Sequence, residues 1–463
     1  MTYTKTEKRL VLAASCLAIF INPLAGTMLN LALGEIQAEF LCSEHQLAWV
    51  SSVYFIVSVM FLLPSAKLAD IYGKKLVFLS GTVIAMAGGI LSMFAQSIEM
   101  LYLFRGITGI GMACISSTSI SMISDVYQFH ERGLALAFNT ACVYIGASIG
   151  PTLGGVLTEF TGWRSIFLVL IPFLALSFVC MFSFGYNIKS TPGKSFDALG
   201  SVVYGISMAV FMFGIISLPQ MYGFAMIVCG AVGLAGFVAV EGRTENPLVR
   251  FSIFRNQRFS RSMLALFLNY TASSGITFLM SRYLQEIGAL TPTQAGMVLM
   301  TQSVIQVVAT LWAGRVTTRL DMRILPTVGM SITCVALIML MFVTEDLNIP
   351  LILASLAVLG VGLGLFSAPN TTAIMSYVSK EQYNSASGLI ATARQIGMMM
   401  SMGIATCLIS VLLGADVALD PSNYGTFMEI LRYAWSIWLV MCAIGAVFSW
   451  FRGPTYSDDS QNT

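Results

Sequence analysis

The chain has 463 residues, 57% of them hydrophobic and only 10% charged, with a net charge of +2 and a mean hydropathy of +0.81. A water-facing globule carries about 25% charged residues, so this composition excludes a soluble domain and a disordered chain alike. The near-neutral charge offers no field for nucleic acid, and what remains is a membrane protein with many spans.

Apolar runs fall near residues 10–33, 47–66, 76–96, 101–123, 134–157, 164–185, 198–217, 222–240, 262–284, 294–313, 325–343, 350–374, 386–412 and 430–450. Each is long enough to cross about 30 Å of hydrocarbon as a helix, which predicts an all-α membrane protein of fourteen transmembrane helices. The opening Lys5, Lys8 and Arg9 before an apolar run mimic a signal peptide. The run continues past Pro23 to Leu33, long enough to span. Nine cysteines, nearly all inside apolar segments, predict small buried hydrophobes rather than disulfides or a metal site. His45 and His130 are too far apart to suggest a shared metal.

Basic residues orient the chain. With the N-terminus inside, 19 of the 24 Lys and Arg fall on inner connections, among them Lys67, Lys74, Lys75, Arg132, Lys189, Lys194 and the group from Arg243 to Arg261. Arg164, Arg282 and Arg432 fall outside, and Arg105 and Arg394 lie within helices. The expectation is a multi-pass protein of the plasma (inner) membrane with both termini cytoplasmic. Basic turns at 66–75 and 314–323 lie 248 residues apart, the length of about eight helices with their loops. This predicts two pseudo-symmetric six-helix bundles, 1–190 and 246–463, with a two-helix insert at 191–245. Repeat halves around a midplane cavity are the usual build of secondary transporters.

Several segments carry specific chemistry. In Ala66-Lys67-Leu68-Ala69-Asp70-Ile71-Tyr72-Gly73-Lys74-Lys75, Gly73 permits a tight turn, Lys74 and Lys75 hold it in water, and Asp70 can cap a helix or pair with a base. Arg105-Gly106-Ile107-Thr108-Gly109-Ile110-Gly111 puts an arginine inside a span, at a cost of about 2.5–3.5 kcal/mol on insertion scales. The fifth run holds Gly146, Gly150, Pro151, Gly154 and Gly155, small residues for close helix approach and a proline that weakens the ladder. Trp163-Arg164 follows, and Ser387-Gly388 and Thr392-Ala393-Arg394-Gln395-Ile396-Gly397 stand in the thirteenth run.

In these residues, their order and their spacing, the chain resembles the major facilitator superfamily, in particular its fourteen-helix drug:proton antiporter branch of multidrug efflux type. The resemblance implies alternating access, the signature turn at 66–75 and an exporter motif in the fifth helix. It implies conformational or coupling roles for Asp70, Gly73, Lys74, Lys75, Arg105, Gly109, Gly111, Gly146, Gly150, Pro151, Gly154 and Gly155. Two departures stand out. Thr108 replaces the branch's glutamine, and in Leu24-Ala25-Gly26-Thr27-Met28-Leu29-Asn30 the branch's usual aspartate is Ala25. The 22 acidic residues all fall in loops, tails or helix ends, so no other carboxylate is expected at mid-depth.

The expected function is therefore a secondary active transporter exporting small organic molecules, with a proton or another ion as coupling partner, lipid as its surroundings, no cofactor and no metal, and a monomeric state. The alternatives are an importer or a lipid or metabolite transporter of the same fold, or a non-transporting membrane sensor. An enzyme is not expected: Gly193-Lys194-Ser195 lacks the earlier glycine of a phosphate loop, since Ile188 stands there. Polar candidates for a substrate cavity are Asn22, Asn30, Tyr54, Asn139, Tyr144, Asn269, Gln302, Gln306, Asn370, Arg394 and Gln395. Each is expected either to line the cavity or to bridge two helices.

Overall fold

A computed structural model describes residues 3–453 apart from 43, 191, 192, 194, 245, 318 and 415–420. Lys194, expected on an inner connection, and the acids Glu245, Asp416, Asp420, Asp458 and Asp459, expected in loops or tails, lie outside the described residues. So do the side chains of Asn30, His45 and Pro151.

Among the described residues there are fourteen α-helices and no strand: α1 (Lys5–Phe40), α2 (Glu44–Tyr72), α3 (Lys74–Met93), α4 (Ile98–Val126), α5 (Phe129–Thr161), α6 (Ser165–Phe182), α7 (Ala198–Ile216), α8 (Met221–Glu241), α9 (Gln257–Arg282), α10 (Pro292–Val316), α11 (Ile324–Leu340), α12 (Ile349–Ser376), α13 (Tyr383–Leu412) and α14 (Tyr424–Trp450). Thirteen of them are long and apolar enough to cross a bilayer, and α11 has 17 residues. The all-α expectation holds, while the number of spans is thirteen by this measure. Helices run beyond the apolar runs because polar caps continue the ladder. Thr4 and Glu7 form a reciprocal capping box at the start of α1, Ser97 caps α4, Asn256 caps α9 and Asn348 caps α12. Each cap accepts from a first-turn amide that the helix itself leaves unpaired.

The helices gather into two compact units. The first comprises Met1–Tyr127, Cys142–Phe251 and Ser379–Cys407, and the second Gln128–Ala141, Ser252–Val378 and Leu408–Thr463. Within the first, α4 packs on α2 and α3, and α6 on α1 and α3. Within the second, α12 packs on α10 and α11, and α14 on α9 and α11. Each pair in one unit thus has its counterpart eight helices later, the same offset that separates the two basic turns. The hairpin α7–α8 packs on itself and, through α7, on α2, where the Tyr204 hydroxyl donates to the Val59 carbonyl at 3.0 Å. Large apolar side chains such as Val228, Val232 and Val238 on α8 remain exposed. In water such a surface would aggregate; in lipid it is the expected exterior.

One end of the first unit is clasped by charge. Glu39 accepts from Arg164 Nη1 at 2.7 Å, from Arg164 Nη2 at 2.6 Å and from Trp163 Nε1 at 2.7 Å, while Glu35 accepts from the Trp163 amide at 3.1 Å. The sequence placed these acids merely at a helix end. The Arg164 hydrogen bonds hold the Glu39 carboxyl below its ordinary range, so the clasp is present above the usual carboxylate range and is lost as pH falls through the lowered value. Acidification should therefore change the Trp163 emission, measured as the difference between the native chain and Trp163→Phe. Glu39→Gln should abolish the transition.

Candidate functional site

The signature turn is built by α2, α3 and the segment after α6. Gly73 has φ +111°, and a Cβ there would overlap the Asn187 side chain, so both conformation and space demand glycine. Asn187 Nδ2 donates to the Tyr72 carbonyl at 3.0 Å, and the Lys74 amide donates to the Ile188 carbonyl at 2.9 Å. Asp70, 4% exposed, accepts from Asn384 Nδ2 of α13 at 2.6 Å. The ionic partner in this turn is a different one: Lys74, fully buried, pairs with Asp125 near the end of α4. Lys75 donates to the Phe182 carbonyl at 2.9 Å and to that of Phe184. Sequence spacing suggests that Asp70 meets a base, but it points to neither Asn384 nor Asp125 as a partner. Both contacts cross between helices, which periodicity does not encode.

Arg105 is inside the protein rather than at its surface: it is 1% exposed, its Nε donates to the Val50 carbonyl at 3.3 Å, and its guanidinium lies 4.6 Å from the Tyr54 ring centre. The Tyr54 hydroxyl donates to Asn22. Asn22, Ala25, Tyr54, Arg105 and Thr108 together line a narrow, largely apolar crevice among α1, α2, α3, α4 and α6, with room for about one water molecule. Two of the candidates and the embedded arginine are thus brought together, beside both positions where the branch's polar residues are replaced. Gly109 and Gly111 explain how α4 comes so close. A Cβ at Gly109 would sit 2.7 Å from the Tyr54 carbonyl oxygen, and one at Gly111 would overlap the α3 backbone at Ala85.

The glycines of α5 serve α1. Added Cβ atoms at Gly146 and Gly150 would overlap Phe20 and Thr27, and one at Gly154 would lie 2.6 Å from the Met28 Cα. Gly155 is half-buried. Also in the first unit, Gln395 is buried and donates to Ser58 Oγ at 3.3 Å, and Tyr144 and Arg394 are half-buried.

The second unit holds Asn139, Asn269, Gln302, Gln306 and Asn370, all buried. Asn370 belongs to a network that the sequence did not suggest. The buried Arg452 donates to Asn370 Oδ1 at 2.9 Å and to Ser262 Oγ at 3.1 Å, and Asn370 Nδ2 donates to the Ser262 carbonyl at 3.1 Å. That network bridges α9, α12 and the end of α14.

The sequence profile of the Major Facilitator Superfamily matches residues 15–402 and 262–463. The chain is 29% identical to the multidrug resistance protein Stp of Mycobacterium tuberculosis (strain CDC 1551 / Oshkosh) over 414 residues, 88% of this chain and 77% of the relative. It is 24% identical to the riboflavin transporter RibZ of Clostridioides difficile (strain 630), over 96% of this chain and 97% of the relative. It is 27% identical to the multidrug efflux pump LfrA of Mycolicibacterium smegmatis (strain ATCC 700084 / mc(2)155), over 86% and 80%. The crystal structure of the human organic anion transporter MFSD10 (TETRAN) shares its fold, with a TM-score of 0.67 at 13% identity over 96% of this chain and 99% of that one. The embedded arginine, the glycine-packed α4 and α5 and the buried turn at Asp70 thus stand in a multi-pass transporter, not an enzyme, and the chain belongs to the Major Facilitator Superfamily.

Proposed function

We propose that this chain exports small organic molecules of varied structure by alternating access, with a proton as the coupling ion. The reading is carried by the glycine seam that joins α5 to α1, in a chain whose relatives include a multidrug efflux pump and a multidrug resistance protein. It takes all fourteen helices as spans, arranged as bundles 1–190 and 246–463 with the insert 191–245, in a monomer of the plasma membrane with both termini cytoplasmic. The charge asymmetry of the connections supports that orientation. Asp70, held by Asn384, then secures the cytoplasmic end in one state of the cycle. A second reading, transport of a single metabolite, rests on the likeness to a riboflavin transporter along nearly the whole of both chains.

Substrate charge follows from the residues. A permanent cation in a low-dielectric cavity needs a carboxylate, and the first helix offers Ala25 instead. Arg394, by contrast, lies well inside α13. In proteoliposomes with an imposed pH gradient, neutral, zwitterionic and anionic compounds should be transported and quaternary ammonium dyes poorly. Arg394→Ala should slow anionic substrates by about tenfold, the loss of a charge-assisted contact of ~1.5 kcal/mol, and leave neutral ones near their native rate. Rapid export of a quaternary dye by the native chain would overturn the charge argument. Transport of riboflavin alone would favour the second reading.

A further inference from the structure

The hairpin α7–α8 carries a feature that the transport reading does not use. Asp197 caps the start of α7, where its Oδ1 accepts from the Gly200 amide at 2.8 Å. Glu241 closes α8, is 2% exposed, and takes the Val249 amide on Oε2 at 3.4 Å. Each carboxyl therefore spends one oxygen on a backbone amide. The remaining oxygens, Asp197 Oδ2 and Glu241 Oε1, are both buried, both lie within 2.5 Å of the place a Cβ on Gly200 would take, and have no donor among the described residues. A Cβ on Gly200 would overlap both, so this glycine is what lets the two carboxyls meet.

Two carboxyls whose facing oxygens are shut off from solvent resist being ionised together, because neither water nor a cation at those oxygens offsets their repulsion. The described charged groups around the pair do not supply that cation. Lys67 of α2 donates its ammonium to the Pro247 carbonyl at 2.6 Å, and Arg243 and Arg250 on the 242–250 connection are exposed. A single proton placed between Asp197 Oδ2 and Glu241 Oε1 satisfies both orphan oxygens at once. We infer that Asp197 and Glu241 form a proton-binding site on the α7–α8 hairpin, a carboxylic acid–carboxylate pair that retains one shared proton at neutral pH. The proton is exchanged with water, leaving the pair doubly charged when it departs. Loss of the proton leaves two negative carboxyls side by side, and their repulsion acts on the start of α7 and the end of α8 that carry them. The inference does not depend on what is transported or in which direction.

The test uses the full chain in lipid nanodiscs, followed by infrared difference spectroscopy and thermal unfolding across pH. A protonated-carboxyl C=O stretch should persist at neutral pH and vanish on alkalinisation, and Glu241→Gln should remove it. Thermal stability of the native chain should fall as pH rises through that same transition, since a group whose folded state retains its proton loses stability as the proton leaves. In Glu241→Gln, whose amide donates to Asp197 at every pH, that slope should be flat. Asp197→Asn should flatten it as well. Gly200→Ala, which forces the carboxyls apart, should move the infrared transition to lower pH and serves as the readout if the amide variants do not fold. Absence of the C=O band at neutral pH would overturn the inference. So would an unchanged pH slope in Glu241→Gln, or stabilisation of the native chain by added sodium or calcium ions that Glu241→Gln removes, which would make the site a cation site.

Discussion

Asp125→Ala should destabilise the protein by about 3–5 kcal/mol, the cost of leaving one member of a buried ion pair without its partner. Lys74 has no exposed surface, and its ammonium meets the Asp125 carboxylate directly. Among the described residues, the Tyr383 ring centre lies 5.8 Å from the ammonium, and the Asp70 carboxyl is within electrostatic range of it. A cation–π contact of that length is worth about 0.5–2 kcal/mol, too little to offset the desolvation of an ammonium group. Removing both charges is a different matter, since replacing a buried pair by apolar residues is often neutral. The double variant Lys74→Met/Asp125→Leu should therefore recover most of the stability lost by Asp125→Ala. Unfolding in nanodiscs, arranged as a double-mutant cycle, measures this directly. Equal losses in the single and double variants would show that the pair is not what holds α3 to α4 at this end.

Gly154→Ala should cost at least ~1–3 kcal/mol, the range for an overpacked core, and should slow transport. The added methyl would lie 2.6 Å from the Met28 Cα and 3.0 Å from the Met28 carbonyl oxygen. These are backbone atoms, so no side-chain rotation relieves the clash and α1 must move away from α5. Gly26, also on α1, is the matched control, because a Cβ there meets nothing within 4 Å. A helical glycine in open space is a liability of ~0.5–1 kcal/mol, so Gly26→Ala should be neutral or stabilising. Opposite signs for two identical substitutions separate the contact from glycine's general effect on helices. Matching signs would remove the close approach of α1 and α5 as the reason for the seam.

Much of this molecule was legible in the sequence because lipid imposes a simple rule. A backbone in hydrocarbon must satisfy its own hydrogen bonds, so twenty apolar residues become a helix whatever surrounds them. Composition therefore pointed to a membrane protein, and the apolar runs between short polar connections predicted fourteen helices whose boundaries agree to within a few residues at most ends. The small residues of α5 and the turn at Gly73 were readable for a related reason, since only glycine tolerates that φ or that closeness.

Partners were not legible. The sequence marked Asp70 and Lys74 as chemistry-bearing, but nothing in their spacing could say that one meets Asn384 and the other Asp125, 314 and 51 residues along the chain. It marked Arg105 as costly, and only packing shows it withdrawn behind Tyr54 rather than reaching for a surface. Acids at the ends of apolar runs looked like ordinary solvated termini. Tertiary structure makes Glu39 a clasp and buries Glu241 against Asp197. The physical reason is the same in each case. Local pattern fixes which face of a helix is apolar, whereas the burial of a charge and the group that answers it depend on which helices become neighbours, and that is decided by the whole chain at once.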